Sequence, residues 1–177
     1  MRMKVMAATA TAVTAVGLGL TAAAPASAGN ISCTRASGHY QEYVTSSSTN
    51  YYVSAPNKVT AGTSHPELKA FPGNNPNSTA SWIRCNASGN RVAFEYVYNG
   101  VTYVLENDHG SKNRIDMEVV PSGGPYASEF WVQSGSNPYT FKNDSSGLYM
   151  RVSDQGVGQY FPVVTGANAS QWTQSAS

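Results

Sequence analysis

Between Arg91 and Asn107 the chain reads RVAFEYVYNGVTYVLEN, two runs of β-branched and aromatic residues in partial alternation around an Asn-Gly pair. Alternation at a period near two sends successive side chains to opposite faces of a strand, and these residue types suit a pleated, half-buried surface. Asn99-Gly100 signals a tight hairpin turn, and Ser145-Ser146-Gly147 does the same further on. From Gly29 onward no window sustains a 3.6-residue period, and Gly, Pro, Asn and Ser interrupt the pattern roughly every eight to twelve residues. The pattern predicts an all-β fold without substantial helix.

A longer period lies over the short one. ELKAFPGNNPNSTASW, DMEVVPSGGPYASEFW and GQYFPVVTGANASQW end at Trp82, Trp131 and Trp172, each ten residues after a proline, Pro72, Pro121 and Pro162. A large apolar residue stands before each proline (Phe71, Val120, Phe161), and the first two copies share a second proline, Pro76 and Pro125. Upstream of each lies a strand, a turn and a second strand: QEYVTSSSTNYYV, FEYVYNGVTYVL and YTFKNDSSGLYMRV. Four strands in each of three copies give about twelve. Each tryptophan is expected to enter a shared core from the last strand of its copy. Each proline is expected to end the third strand, where a ladder N–H is not needed.

The first 28 residues stand apart. Basic Arg2 and Lys4, an Ala/Val/Leu run interrupted by Thr9, Thr11 and Thr14, and Ala26-Ser27-Ala28 read as a secretory signal peptide cleaved after Ala28, not as a membrane span. Residues 29–177 would then be the exported domain, a single one at this length. Without Arg2 and Lys4, nine basic residues face ten acidic ones, a net charge of −1 with neutral histidines. That balance leaves no electrostatic footprint for nucleic acid or an anionic membrane. The domain holds Cys33 and Cys85, and an oxidising compartment favours a disulfide between them. A catalytic thiol would need a neighbouring base, which the residues around neither cysteine offer.

SGLYMRVSDQGVGQYFPVVTGANASQW resembles a repeat of the ricin B-type β-trefoil lectins, and the resemblance extends over the whole exported chain as three units, about 37–87, 89–135 and 136–172. It implies a β-trefoil of three four-stranded repeats. In that fold the last strand of a unit pairs with its first, so a Cys33–Cys85 bond would tie the two ends of unit one together. In the family, an aspartate on strand two, an aromatic residue on strand three and an Asn-Gln pair before the closing Trp hold the sugar. Here the aspartate position carries about Ser54, Leu105 and Arg151, and the glutamine position carries Ala80, Glu129 and Ser170, with Gln171 one place late. The sugar motif is therefore degenerate, and the resemblance implies carbohydrate binding at an atypical site.

Unit three offers Arg151, Asp154, Gln155, Tyr160 and Asn168; unit two offers Asn107, Asp108, His109 and Tyr126. Unit three departs least from the lectin repeat, and its short second hairpin, Asp154 to Gln159, leaves its mouth open, whereas unit one fills that space with APNKVTAGTSHPE. Arg151 in place of a carboxylate presents a donor fork suited to an acidic glycan. A surface rich in Tyr, Ser, Asn and Gly also suits protein recognition, so the alternative is a protein-binding trefoil, such as a protease inhibitor or a subunit of a secreted assembly. The loop from Pro72 to Ala80 is its best candidate for a protruding segment.

Catalysis is not expected. His39, His65 and His109 are scattered, no G-x-S-x-G nucleophile motif is present, and Asp108-His109 alone is too few ligands for a metal. Asn77, Asn86, Asn143 and Asn168 open N-x-S/T triplets, a number expected by chance in a chain so rich in Asn and Ser. The Ala/Thr-rich leader is bacterial in style. The expectation is an exported, extracellular, monomeric module without a cofactor, whose partner is a carbohydrate or another secreted protein.

Overall fold

The computed structural model describes residues 30–46, 48–54, 68–73, 81–107, 114–156 and 160–177. The leader through Ala28, the APNKVTAGTSHPE segment, the Pro72 to Ala80 loop beyond Gly73, and Asp108 and His109 lie outside the described residues.

The β-branched and aromatic runs fold as strands. Among the described residues these are Thr34–Ser46 (β1), Thr49–Ser54 (β2), Lys69–Pro72 (β3), Trp82–Ala87 (β4), Arg91–Tyr98 (β5), Val101–Asn107 (β6), Ile115–Val119 (β7), Trp131–Gly135 (β8), Tyr139–Asn143 (β9), Tyr149–Val152 (β10), Phe161–Gly166 (β11) and Thr173–Ala176 (β12). The helical residues among those described form one 3-10 turn, Ala127–Glu129, and among the described residues no helix is long and apolar enough to cross a membrane. The protein is an all-β domain with a twelve-strand antiparallel sheet, as its pattern predicts.

Pairing repeats in sets of four. β1 pairs with β2 and β4, and β2 with β3; β5 pairs with β6 and β8, and β6 with β7. In the third set β10 pairs with β9 and β11, while Tyr139 at the head of β9 bridges Trp172 just ahead of β12. The sets join through β4–β5, β8–β9 and β12–β1, with a further seam between β3 and β11. The third set continues past Trp172 into β12, because the tryptophan opens the last strand of its set instead of closing it.

Asn99 and Gly100 both take positive φ, 50° and 77°, which the tight turn between β5 and β6 requires and which Asn and Gly adopt at least cost. The partial alternation of β5 has a simple cause: both faces are covered. Val92 and Phe94 enter the main core with the three tryptophans, while Ala93 packs with Cys85, Val104 and Phe130 in a second cluster that Ile31 and Cys33 cover.

Trp82, Trp131 and Trp172 are each fully buried. Their indole N–H groups make corresponding bonds: Trp82 Nε1 donates to Val53 O at 3.2 Å, Trp131 Nε1 to Leu105 O at 3.4 Å and Trp172 Nε1 to Met150 O at 3.2 Å. A buried indole N–H needs such an acceptor, and the second strand of each set supplies it.

The prolines behave less uniformly than expected. Pro72 does end β3, but Pro121 lies two residues beyond β7, and Pro162 is the second residue of β11. Around Pro162 the strand is tied without a proline N–H: Pro162 O accepts from Ser153 N at 2.9 Å, and Val163 N donates to Leu68 O at 3.0 Å. What the position demands is a residue with no donor to satisfy, not a strand end.

Cys33 and Cys85 form the disulfide, with Cα atoms 5.4 Å apart. It ties β4 to the segment leading into β1 across 52 positions of sequence, a loop for which the chain-entropy relation gives about 4 kcal/mol. Replacing both cysteines by serine is expected to lower the unfolding free energy by about 2–4 kcal/mol in denaturant titrations. A loss under about 0.5 kcal/mol would mean that the reduced unfolded chain is already constrained there.

Candidate functional site

The third set of strands carries the residues expected to bind, and the structure divides them. On β10, Arg151 turns its guanidinium to Asp154, Nη2 to Oδ2 at 2.5 Å, with the Arg side chain mostly covered and Asp154 87% exposed. Gly166 on β11, paired with Tyr149, makes room for this: a Cβ there would stand 2.8 Å from Arg151 Cδ. One arm of the expected donor fork is therefore engaged by an exposed carboxylate three residues on. Gln155 is exposed, its backbone N–H held by Ser153 Oγ at 3.2 Å, and Asn168 is exposed in the turn after β11.

Tyr160 faces a different neighbour from Asp154. Its ring packs against Phe71 at 5.5 Å and lies under Lys69 Nζ at 4.3 Å, so it belongs to the seam between β3 and β11. The aromatic residue beside Asp154 is the next one, Phe161. Its ring meets Tyr51 edge-on at 5.0 Å and rests on Gly156, where a Cβ would come within 3.1 Å of it.

These residues border a cleft of about 390 Å³ between β10–β11 and β1–β2. Phe161, Tyr51, Val44 and Val152 give it apolar walls; Asp154, Ser153, Ser170, Gln171, Thr45 and Ser46 give it donors and acceptors. Ser170 is fixed by accepting the Val152 N–H at 3.1 Å. Of the five unit-three residues expected from sequence, only Asp154 lines the cleft. Phe161 was within reach of the repeat pattern as the aromatic before Pro162. Thr45 and Tyr51 were not, because they come from the first set, more than a hundred residues away.

No protein-family model and no curated protein matches the chain.

The second set presents different chemistry. Counting from the carbonyl that accepts each indole N–H, the residues that follow are Ser54, Glu106 and Arg151. Leu105 itself is core. Two residues before Trp131, Glu129 is fully buried and accepts the Tyr126 N–H on Oε2 at 2.5 Å, closing a capping box on the 3-10 turn. Burial drives Glu106 up to about 8, helped by its hydrogen bond to Glu118 and by the charges of Glu118, Glu129 and Asp116. Burial likewise drives Glu129 up to about 7, against the Tyr126 hydrogen bond, with Glu118 and Glu95 adding to the rise.

Two carboxyls at this end of the domain, Glu106 and Glu129, are thus pushed toward holding protons near neutral pH. Asn107, expected at the mouth, is instead buried, accepting from Thr165 Oγ1 at 3.3 Å. Asn143 is buried too, its amide donating to Ser128 O and Phe130 O and its oxygen accepting from Ser145 and Ser146, which removes it as a glycosylation acceptor. Glu95 lies within 4.8 Å of both cysteine sulfurs, but a disulfide offers no thiolate to a metal, and Arg35 Nε already holds Glu95 at 2.6 Å.

Proposed function

We propose that the protein is a secreted, non-catalytic, monomeric β-trefoil module related to the ricin B-type lectins, and that it holds a neutral carbohydrate in the cleft between β10–β11 and β1–β2. The trefoil reading is supported by the order of pairing. From β1 the pairs run through β4, β5, β8 and β9 to the Tyr139–Trp172 bridge and β12, and β12 returns to β1, while β2–β3, β6–β7 and β10–β11 remain as three hairpins. Three corresponding indole bonds support the same reading. Secretion rests on the leader and agrees with the disulfide.

The observation that carries the functional reading is the cleft, where the Phe161 and Tyr51 rings stand beside Asp154, Ser170 and Gln171. A pyranose has an apolar C–H face and a rim of hydroxyls. An aromatic wall covers the face while a carboxylate, a hydroxyl and an amide take the rim. The lining residues include no cation, so nothing on this wall selects for an anion.

Screening of the full chain against neutral and acidic oligosaccharides, followed by calorimetry of the best ligand, tests this. Phe161→Ala is expected to weaken binding about ten-fold, the loss of one aromatic contact, whereas Tyr160→Ala on the β3–β11 seam leaves it unchanged. Binding that survives Phe161→Ala but fails in Tyr160→Ala would move the site to that seam. Capture of a secreted protein with no glycan bound at all would favour the protein-binding trefoil.

A further inference from the structure

A second cleft, of about 670 Å³, opens at the far ends of β4, β5 and β8 and shares no residue with the first. Arg84, Asn86, Asn90, Arg91, Gln133 and Ser134 supply its polar wall. No aromatic side chain lines it.

Behind that wall three corresponding positions converge. Arg84, Gln133 and Gln174 each stand two residues after a core tryptophan, on β4, β8 and β12. Arg84 Nη1 donates to Gln174 Oε1 at 2.6 Å, and Arg84 Nη2 donates to Gln133 Oε1. Gln174 Nε2 in turn donates to Glu42 Oε1 at 2.7 Å. Glu42 occupies a place that is a ring elsewhere: it lies two residues after Tyr40, the partner of Trp82, whereas two residues after Val92 and Tyr139, the partners of Trp131 and Trp172, stand the core rings Phe94 and Phe141. One of three matching apolar positions has thus been given to a carboxylate, which is 3% exposed and has Oε2 unpartnered among the described residues.

Such a substitution costs stability unless the group is compensated. The compensation here is incomplete. Both acceptors on Arg84 are neutral amides, and its Nε is buried without a partner among the described residues. Glu42 makes no hydrogen bond to Arg84, and burial, outweighing the charge of Arg84 and the Gln174 bond, drives its carboxyl up to about 8. Arg91, the other cation of the cleft, is already paired, Nε to Asp144 Oδ2 at 2.9 Å. Arg84 is therefore a half-buried guanidinium, fixed in orientation by two amides, at the wall of a polar cleft and with no carboxylate bonded to it among the described residues.

We propose that this cleft is a second binding site, for a small polyol bearing an oxyanion: the oxyanion seated on Arg84, and the hydroxyls on the amides of Asn86, Asn90 and Gln133 and the hydroxyl of Ser134. Each Nη of Arg84 keeps a second N–H beyond its amide bond, which a carboxylate or a phosphate oxygen can accept. The volume suits a sugar-sized frame better than a bare ion. This reading does not depend on the cleft at Phe161.

The test uses the full chain with glucuronate, glucose 6-phosphate and glucose as probes, followed by calorimetry and by amide chemical shifts. One or both anions are expected to bind and to shift the amides of Asn86, Asn90 and Ser134, with glucose at least ten-fold weaker; which anion binds identifies the oxyanion. Arg84→Gln is expected to lose at least ten-fold. Should that variant not fold, Asn90→Gly decides: it keeps the left-handed turn at φ 56° and removes one exposed amide, and is expected to cost about five-fold. Phe161→Ala is expected to leave this binding unchanged, which separates it from failure of the first site. Equal binding of glucose, binding of neither anion, or shifts confined to β10 and β11 would overturn the proposal.

Discussion

Raising the pH from 5 to 8 is expected to destabilise the folded protein, by on the order of a few kcal/mol, with the transition temperature falling steadily across that range. Glu42 and Glu106 are driven from 4.5 up to about 8, and Glu129 from 4.5 up to about 7, in each case first by burial. Between the unfolded value and the folded one, the folded chain binds more protons than the unfolded chain. Stability therefore falls as pH rises, by up to about 1.4 kcal/mol per pH unit for each group while it stays protonated only in the folded state. Their contribution is complete below about pH 4.5 and is lost as pH passes 7 to 8. Glu106 is only half-buried and counts for less than the other two. Urea titrations at pH 5, 6.5 and 8 measure the effect, and Glu42→Gln should flatten part of the slope while Glu118→Gln removes some of the repulsion around Glu106. Stability that is level or rising between pH 5 and 8 would mean that these carboxyls are solvated in the folded protein.

The same three residues show what could be read in advance. Strands were legible because β-branched and aromatic runs with turn residues between them have few other solutions, and the tryptophans because a large apolar residue repeated at one spacing after a proline belongs to a core. The disulfide was legible because the chain has two cysteines and an oxidising compartment was expected. Glu42 could not be found this way: in Gln41-Glu42-Tyr43-Val44 either face is plausible, and only the register of β1, with Tyr40 opposite Trp82, turns Glu42 inward beside buried Val44. A one-residue slip inverts a strand's faces, so a polar pair in a strand hides its inward member.

The binding residues were harder for a related reason. Arg151 and Asp154 lie three apart, and their pairing is legible in principle as a local opposite-charge contact. Tyr160 and Phe161 are adjacent aromatics pointing to different neighbours, one to Phe71 and one to Tyr51, and strand alternation says that they diverge without saying which one meets the cleft. The cleft itself depends on β1 and β2 from the first set closing against β10 and β11 of the third. Such non-local walls are set by the return of the chain, not by any local motif.

Truncating any one of the tryptophans should be among the most damaging single changes available to the domain. Each fills the core completely, and each spends its one polar hydrogen on a second-strand carbonyl. Trp→Ala at 82, 131 or 172 removes a large buried ring and orphans a buried carbonyl, a combined cost of about 3–5 kcal/mol. Against a typical stability of about 5–15 kcal/mol, that leaves a domain near its unfolding threshold, and the disulfide is then what keeps it folded at room temperature. Trp→Phe keeps most of the ring and loses the bond, for about 1–2 kcal/mol. The three sites should give nearly equal losses, because the indole makes the same bond to the same strand of each set. Chemical denaturation of the six variants measures this. If Trp172→Ala cost less than half as much as Trp82→Ala or Trp131→Ala, the three sets would not share one packing arrangement, and the proposed trefoil would lose its energetic basis.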